Sequence, residues 1–292
     1  MRIAFFLAVW KRPEITELCF MGLQRLMKHY PNSFAFAVIS EKSMIPLCQK
    51  YDIEYCEHEN LPLGRKKNYG MNQILKKQFD YLIELGSDDL IFNDVFDAYK
   101  PYMERGEDFF GSNQMIFMDA VMGACRHYTA QEAQYGFGWG LGRCFSRKLL
   151  EHMSGRVKIR ALTGIVSCGE CISDGEESFL PRHIAESMVR QGFAEIVETD
   201  QQFYMWSDNV NRSLDNNSTN RLLENGFNYK IAQTNEPFLA DIKSDENIWG
   251  YNPEIGAEYD LGMVLDKMSE LERKLFFINQ KKLRAKRIET AV

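Results

Sequence analysis

No stretch of the sequence stays apolar long enough to cross a bilayer as a helix, and no charged n-region followed by an apolar h-region opens it. The seven cysteines fall at irregular positions, which predicts reduced thiols in a cytoplasmic protein. In that setting the triplets headed by Asn211, Asn216 and Asn217 carry no glycans. Cys168-Gly-Glu-Cys171 is one isolated pair, whereas a structural zinc site needs a second pair or two well-spaced histidines. His29, His58, His127, His152 and His183 form neither HxH nor HExxH, so zinc hydrolase chemistry has no support. Walker and dinucleotide glycine spacings are missing, and so is a Gly-x-Ser-x-Gly elbow. A net charge of -6 excludes a broad nucleic-acid-coating surface, although a local basic patch is compatible with it. Repeats, low-complexity tracts and Pro/Ser-rich linkers are absent as well.

What the chain does have is an ordinary globular composition, 45% hydrophobic and 26% charged, over 292 residues. That length buries a substantial core and fits one main α/β domain. Short apolar runs alternate with helical patterns through the first third. Arg2 to Val9, Phe34 to Ile39, Ile53 to Cys56 and Phe79 to Leu85 read as strands. Between them Pro13 to about His29, Ile45 to Tyr51 and Arg65 to Lys77 have helical composition, the first opened by Pro13. This is the β-α-β alternation of a parallel sheet with crossover helices. Phe109 to Met118 predicts a fifth strand, and Ser146 to Met153 and Glu176 to Gln191 predict later helices.

Ser87-Asp88-Asp89 follows the fourth strand directly. In a parallel sheet, ligands bind beyond the carboxyl ends of the strands, so paired acids there stand where chemistry is expected. Adjacent carboxylates repel, and an oxygen-ligated Mg²⁺ or Mn²⁺ is the usual way to keep both ionised. The same three residues are also good caps for a following helix, so what surrounds them has to decide.

Phe79-Asp-Tyr-Leu-Ile-Glu-Leu-Gly-Ser-Asp-Asp-Leu90 resembles the strand and DxD-type segment of GT-A enzymes related to glycosyltransferase family 2, and Leu239-Ala-Asp-Ile-Lys-Ser-Asp-Glu-Asn-Ile-Trp-Gly-Tyr251 resembles a segment of a bacterial and phage subset of GT-A-like proteins. Trp10-Lys-Arg-Pro13 resembles that family's first nucleotide-contacting loop, and Leu63-Gly-Arg-Lys-Lys-Asn-Tyr-Gly70 its Gly-x-x-x-Arg/Lys-Asn-x-Gly segment. The chain departs from the pattern at Gly86, where the first Asp would stand, so Asp88 matches the second Asp. The resemblance implies a GT-A fold with a mostly parallel central sheet flanked by helices over residues 1–260, divided at 105/106 into nucleotide-binding and acceptor halves. It also implies sugar transfer from a nucleotide-diphosphate sugar to an acceptor hydroxyl. Asp88 is then the metal residue, with Asp89 beside it and Asp241 as a late ligand for Mn²⁺ or Mg²⁺. Trp10, Arg12, Arg65, Lys67, Asn68 and Ser87 would contact the nucleotide sugar.

Gly136-Phe-Gly-Trp-Gly-Leu-Gly142 resembles the family's Gly-rich strand beneath the donor sugar, which adds Trp139 and Gly140 to that set. Ser173-Asp-Gly-Glu-Glu-Ser178 occupies the place of the acidic base motif. Asp174 is the first candidate for taking the acceptor proton, Glu177 the second and Glu176 a third; the same acids also suit a helix N-terminus. Asp241 and Lys243 alternate around Ile242, the lysine within reach of a diphosphate. Residues 261–292 read as a C-terminal amphipathic helix with a basic end at Lys281, Lys282, Arg284, Lys286 and Arg287. Its partner would be the domain itself, another subunit, an anionic membrane surface on the inner face, or nucleic acid. The acceptor is accordingly left open between a glycan, lipid-linked or free, and a hydroxymethylated base in phage DNA. A sugar nucleotidyltransferase and a non-catalytic GT-A-like binding protein are the alternatives.

Overall fold

The computed structural model describes residues 1–129, 140–167, 170–206, 214–244 and 251–290. The chain begins β1 (Ile3–Val9), α1 (Pro13–His29), β2 (Ser33–Ile39), α2 (Ile45–Lys50), β3 (Glu54–Glu57), α3 (Leu63–Ile74) and β4 (Tyr81–Gly86). It continues with β5 (Asp89–Ile91), α4 (Asp94–Glu104), β6 (Phe109–Ser112), β7 (Gln114–Asp119), β8 (Cys125–Thr129), β9 (Cys144–Ser146) and α5 (Arg147–Met153). A smaller section holds β10 (Arg156–Ala161), β11 (Ile165–Ser167), β12 (Glu170–Ile172), β13 (Glu177–Pro181), α6 (Arg182–Arg190) and β14 (Ala194–Gln202). The last elements are α7 (Leu214–Glu224), β15 (Tyr229–Ala232), β16 (Leu239–Lys243), β17 (Ala257–Tyr259), α8 (Leu261–Asp266) and α9 (Glu270–Thr290).

The central sheet runs β15-β6-β9-β4-β1-β2-β3. Its pairings are parallel except where β9 lies antiparallel to both β4 and β6, so the expected mostly parallel sheet flanked by helices is present. Side chains in β1 alternate between its faces with the strand period of two. Ile3, Phe5, Leu7 and Val9 join one buried cluster with α1 residues, while Ala4 and Phe6 join another with Met71 and Ile74 of α3. Burial on both faces is why β1, β2 and β4 read as near-continuous apolar runs.

Two expectations fail in an instructive way. Phe109 to Met118 is not one strand: the chain breaks at Asn113, with β6 in the central sheet and β7 in a second sheet ordered β17-β8-β7-β16-β5. Period and composition do not change at the corner, so nothing local marks it. Glu176 to Gln191 is not one helix either. Its first residues form β13 in a small sheet ordered β13-β10-β14, and α6 starts only at Arg182, after Pro181. Proline fits a strand end and a helix start but not a helix interior.

Candidate active site

The chain leaves the central sheet at the end of β4 and enters the second sheet as β5, and Gly86-Ser87-Asp88-Asp89 is the step between them. Helix α4 begins five residues after Asp89, so the acidic pair does not cap it. Antiparallel pairing of β16 with β5 sets Asp241 opposite Asp89, and Ile242 N–H donates to the Asp88 carbonyl at 2.8 Å. Sheet register thus brings Asp241 to the Asp88-Asp89 pair, some 150 positions earlier in the chain. Gly86 has to be small here: a Cβ would stand 2.7 Å from Asp88 Oδ1 and 2.9 Å from Asp89 Oδ2.

Cations from three other elements reach the same place. Arg12, at the start of α1, donates to Asp88 Oδ2 at 2.8 Å and to Ser87 Oγ at 3.2 Å. Lys67, on α3, pairs with Glu84 at 2.5 Å, and Lys243 pairs with Asp241 at 2.6 Å. Lys11 and Arg12 both adopt left-handed backbone, φ 55 and 54, which costs about 1–2 kcal/mol per non-glycine residue. The Lys11 N–H bond to Glu41 and the Arg12–Asp88 pair hold that geometry. Strain of this kind clusters at ligand sites.

These groups line one cleft of about 260 Å³ together with Ala8, Leu63, Gly140 and Leu141. Charge is unevenly met there, three cations against the four carboxylates of Glu84, Asp88, Asp89 and Asp241. Burial, then the charges of Asp88 and Asp241, push the Asp89 carboxyl well above the usual range. Burial likewise raises Asp241, with Lys243 opposing and Asp88 adding to the shift. Asp241 Oδ1 and Glu84 Oε2 are buried and have no hydrogen-bond partner among the described residues.

That donor set fits a divalent cation. Among the described residues no three His, Cys, Asp or Glu side chains are grouped to enclose an ion. Mg²⁺-type sites, however, take one or two carboxylates and complete their shell with phosphate oxygens and water. Asp88 and Asp241, the latter through its unpartnered Oδ1, would serve, with Asp89 adjacent.

Of the sequence candidates, Arg12, Lys67, Ser87, Asp88, Asp89, Gly140, Asp241 and Lys243 converge on the cleft. Others do not. Trp10 is 36% exposed under the Lys11 ammonium and is absent from the lining. Arg65 and Asn68 lie on another face of α3, at a different cavity. Asn68 is structural: its Oδ1 accepts the Met205 and Trp206 N–H groups, and its Nδ2 donates to Trp206 O at 2.7 Å. Asp174 and Glu176 stand exposed in the turn before β13, and Glu177, at its start, pairs with Lys158 at 2.7 Å and Arg160 at 2.6 Å. None of the three lines the cleft. Trp139 and Cys168 lie outside the described residues.

Glu84 escaped sequence reasoning, although a carboxylate in the otherwise apolar Tyr-Leu-Ile-Glu-Leu-Gly strand was a visible signal. Lys66 was passed over too. Fully buried, it donates to the Val9 carbonyl at 2.6 Å and to Asn60 Oδ1 at 3.2 Å, tying α3 to the end of β1 just before the Arg12 loop.

No family model matches the chain. Nor does any curated protein match it in sequence. Solved structures do resemble it in the course of the chain. S. aureus TarS 1-349 in complex with UDP-GlcNAc aligns at 9% identity and a TM-score of 0.47, covering 85% of this chain and 60% of that one. The mannosyltransferase PcManGT from Pyrobaculum calidifontis, in complex with GDP-Man and Mn²⁺, aligns at 10% identity and a TM-score of 0.40, over 83% of this chain and 56% of that one. A 4-diphosphocytidyl-2C-methyl-D-erythritol synthase from Anaerococcus prevotii aligns at 10% and 0.33, over 52% and 74% of the two chains. Across four TarS structures the chain spans between 30% and 61% of the matched protein.

Proposed function

We propose that the protein is a glycosyltransferase that moves a sugar from a nucleotide-diphosphate donor to an acceptor hydroxyl, with a divalent cation held at Asp88 and Asp241. The observation that carries this reading is the cleft itself. Arg12, Lys67 and Lys243 converge with a surplus of carboxylates beyond the carboxyl ends of β1 and β4, where α/β sheets bind ligands. A diphosphate brought alone would meet the carboxylates that already hold these cations. A bound Mg²⁺ or Mn²⁺ would supply the missing positive charge and neutralise the leaving group. The chain's own part is orientation: Arg12 forks onto the phosphates when it releases Asp88, and Lys67 and Lys243 act as point charges on either side. The acceptor is a saccharide hydroxyl in this reading, free or lipid-linked, with a hydroxymethylated DNA base the competing acceptor.

UDP-GlcNAc and GDP-Man, each with and without Mn²⁺, are the first donors to test by thermal shift and by release of UDP or GDP. Stabilisation that needs both donor and metal is expected, and Asp88→Ala is expected to lower nucleotide release by about 100-fold or more. If a panel of nucleotide sugars leaves the melting temperature unmoved in wild type and Asp88→Ala alike, the reading fails. Binding with no release to any acceptor, saccharide or modified DNA, would instead mark a non-catalytic protein.

A further inference from the structure

The cavity that takes Arg65 holds about 340 Å³, within the roughly 300–1,000 Å³ of small-molecule sites. It lies between α3 and the small sheet. Arg65, Asn68, Tyr69 and Asn72 follow one another at i, i+3, i+4 and i+7, so they form one stripe of the helix, and Lys67 projects elsewhere, into the cleft. Lys158 of β10, Phe179 of β13 and Glu198 of β14 close the opposite side.

Its chemistry is the reverse of the cleft's. Two cations, Arg65 and Lys158, face the single carboxylate Glu198, and Lys158 already bonds Glu177 outside the cavity. Hydrogen-bond donors there are unspent. The Arg65 guanidinium and the Tyr69 hydroxyl, both on exposed residues, have no hydrogen-bond partner among the described residues. Asn72 uses its Oδ1 on Phe203 N–H at 2.8 Å and leaves its amide N–H₂ without a partner among the described residues, while His58 donates Nδ1–H to the Glu59 carbonyl at 2.8 Å and leaves Nε2 as the ring's acceptor. Two ring systems, Tyr69 with His58 tilted against it at 4.7 Å between centroids, and Phe179, provide apolar surface between these polar groups. Donor-rich polar walls with an aromatic flank suit a sugar, and an unpaired guanidinium suits an anionic substituent on it.

We propose that this cavity is a second binding site, for a sugar unit carrying a phosphate or carboxylate, with Arg65 as its anion contact. One helix, about 10 Å across, separates it from the cleft, so a saccharide held there is a remote unit of the acceptor and not the donor. The acceptor role rests on the glycosyl-transfer reading; the binding does not.

Glucose 6-phosphate, glucose and inorganic phosphate serve as probes in calorimetric titrations of the full chain. Glucose 6-phosphate is expected to bind at least tenfold more tightly than either glucose or phosphate, and Arg65→Gln to lose about tenfold or more of that affinity. Because Arg65 is exposed, that variant should melt with wild type; Tyr69→Phe, which removes only a hydroxyl, gives a second and smaller loss. UDP with Mn²⁺ is expected to bind equally well with the cavity saturated by glucose 6-phosphate. Competition between the two ligands, equal affinity for phosphate and glucose 6-phosphate, or an Arg65→Gln variant that binds glucose 6-phosphate like wild type would each overturn the proposal. Failure of UDP to bind, with glucose 6-phosphate still bound, would sink the glycosyl-transfer reading and leave this site standing.

Discussion

Lys66 concentrates a conflict at one residue. Burial pushes its ammonium down to about 7, yet its Nζ is needed as a donor to Val9 O and Asn60. Either protonation state can donate, so the bonds survive deprotonation. The unfolded chain holds the proton up to about pH 10.4. Between about pH 7 and that value the unfolded state therefore binds more protons than the native state, and native stability rises with pH through this window. Below about pH 7 both states are charged, and the full penalty of burying the ammonium is felt. Lys66→Met removes the titration along with the bonds. Its stability deficit against wild type, measured by urea unfolding, is expected to be larger at pH 9 than at pH 6 and to narrow or reverse at the lower value. A deficit independent of pH would mean that Lys66 stays charged throughout.

At the scale of elements, α3 presents one face to the cleft and another to the second cavity, and its third face must lie close on the sheet. Gly70 permits this: a Cβ there would sit 2.8 Å from the Phe6 ring and 3.1 Å from Val38 Cγ1. Gly70→Ala has to push α3 off β1 or move both side chains, at a cost of about 1–3 kcal/mol. Lys67 and Arg65 ride on the same helix, so nucleotide affinity and glucose 6-phosphate affinity should both fall in this variant, with neither residue altered. Loss of stability without any change in binding would show that Phe6 and Val38 move aside and α3 keeps its place. Within the α3 motif, Asn68 answers to Met205 and Trp206 and Gly70 to Phe6 and Val38, partners that lie outside the segment. Which face each residue takes was not legible, since a run of Arg65-Lys66-Lys67 reads as one cationic turn until the partners are known. In the structure it divides into a cavity residue, a buried brace and a cleft residue. Legibility failed in the same way wherever long-range pairing decides. The carboxylate cluster depends on β16 meeting β5, and the Asp174 region adjoins a small sheet in which β10 pairs with β14 from Arg156↔Gln202 to Ala161↔Ala194, well beyond the reach of a local pattern.

Considered as a whole molecule, the chain returns to its beginning. The expected C-terminal amphipathic segment is broken into α8 and α9, and among the described residues no helix is long and apolar enough to cross a membrane. Phe276 is buried with residues of α1 and β16, and Asn279 donates to the Glu14 carbonyl at 2.6 Å. The basic end stays on the surface, with Lys281, Lys282, Arg284 and Arg287 exposed. What fixes α9 is Glu272, wholly buried. With Ser269 it forms a reciprocal capping box, and it also accepts two bonds from Arg25 Nε at 3.1 and 3.0 Å. The S-x-x-E spacing is readable in the sequence; the Arg25 partner, nearly 250 positions earlier, is not. Because Arg25 is only 15% exposed and also holds Ile91 O and Asn93, removing the carboxylate leaves a poorly solvated cation beside α4. Glu272→Ala is expected to cost about 3 kcal/mol or more in unfolding free energy. Lys286→Ala, which breaks a half-exposed pair with Glu14, should cost at most about 1 kcal/mol. In a double-mutant cycle with Arg25→Ala, a coupling of about 1 kcal/mol or more would assign the loss to the pair itself. Strict additivity would assign it to the helix cap, and α9 would then be held by Phe276 and Asn279 and not by charge.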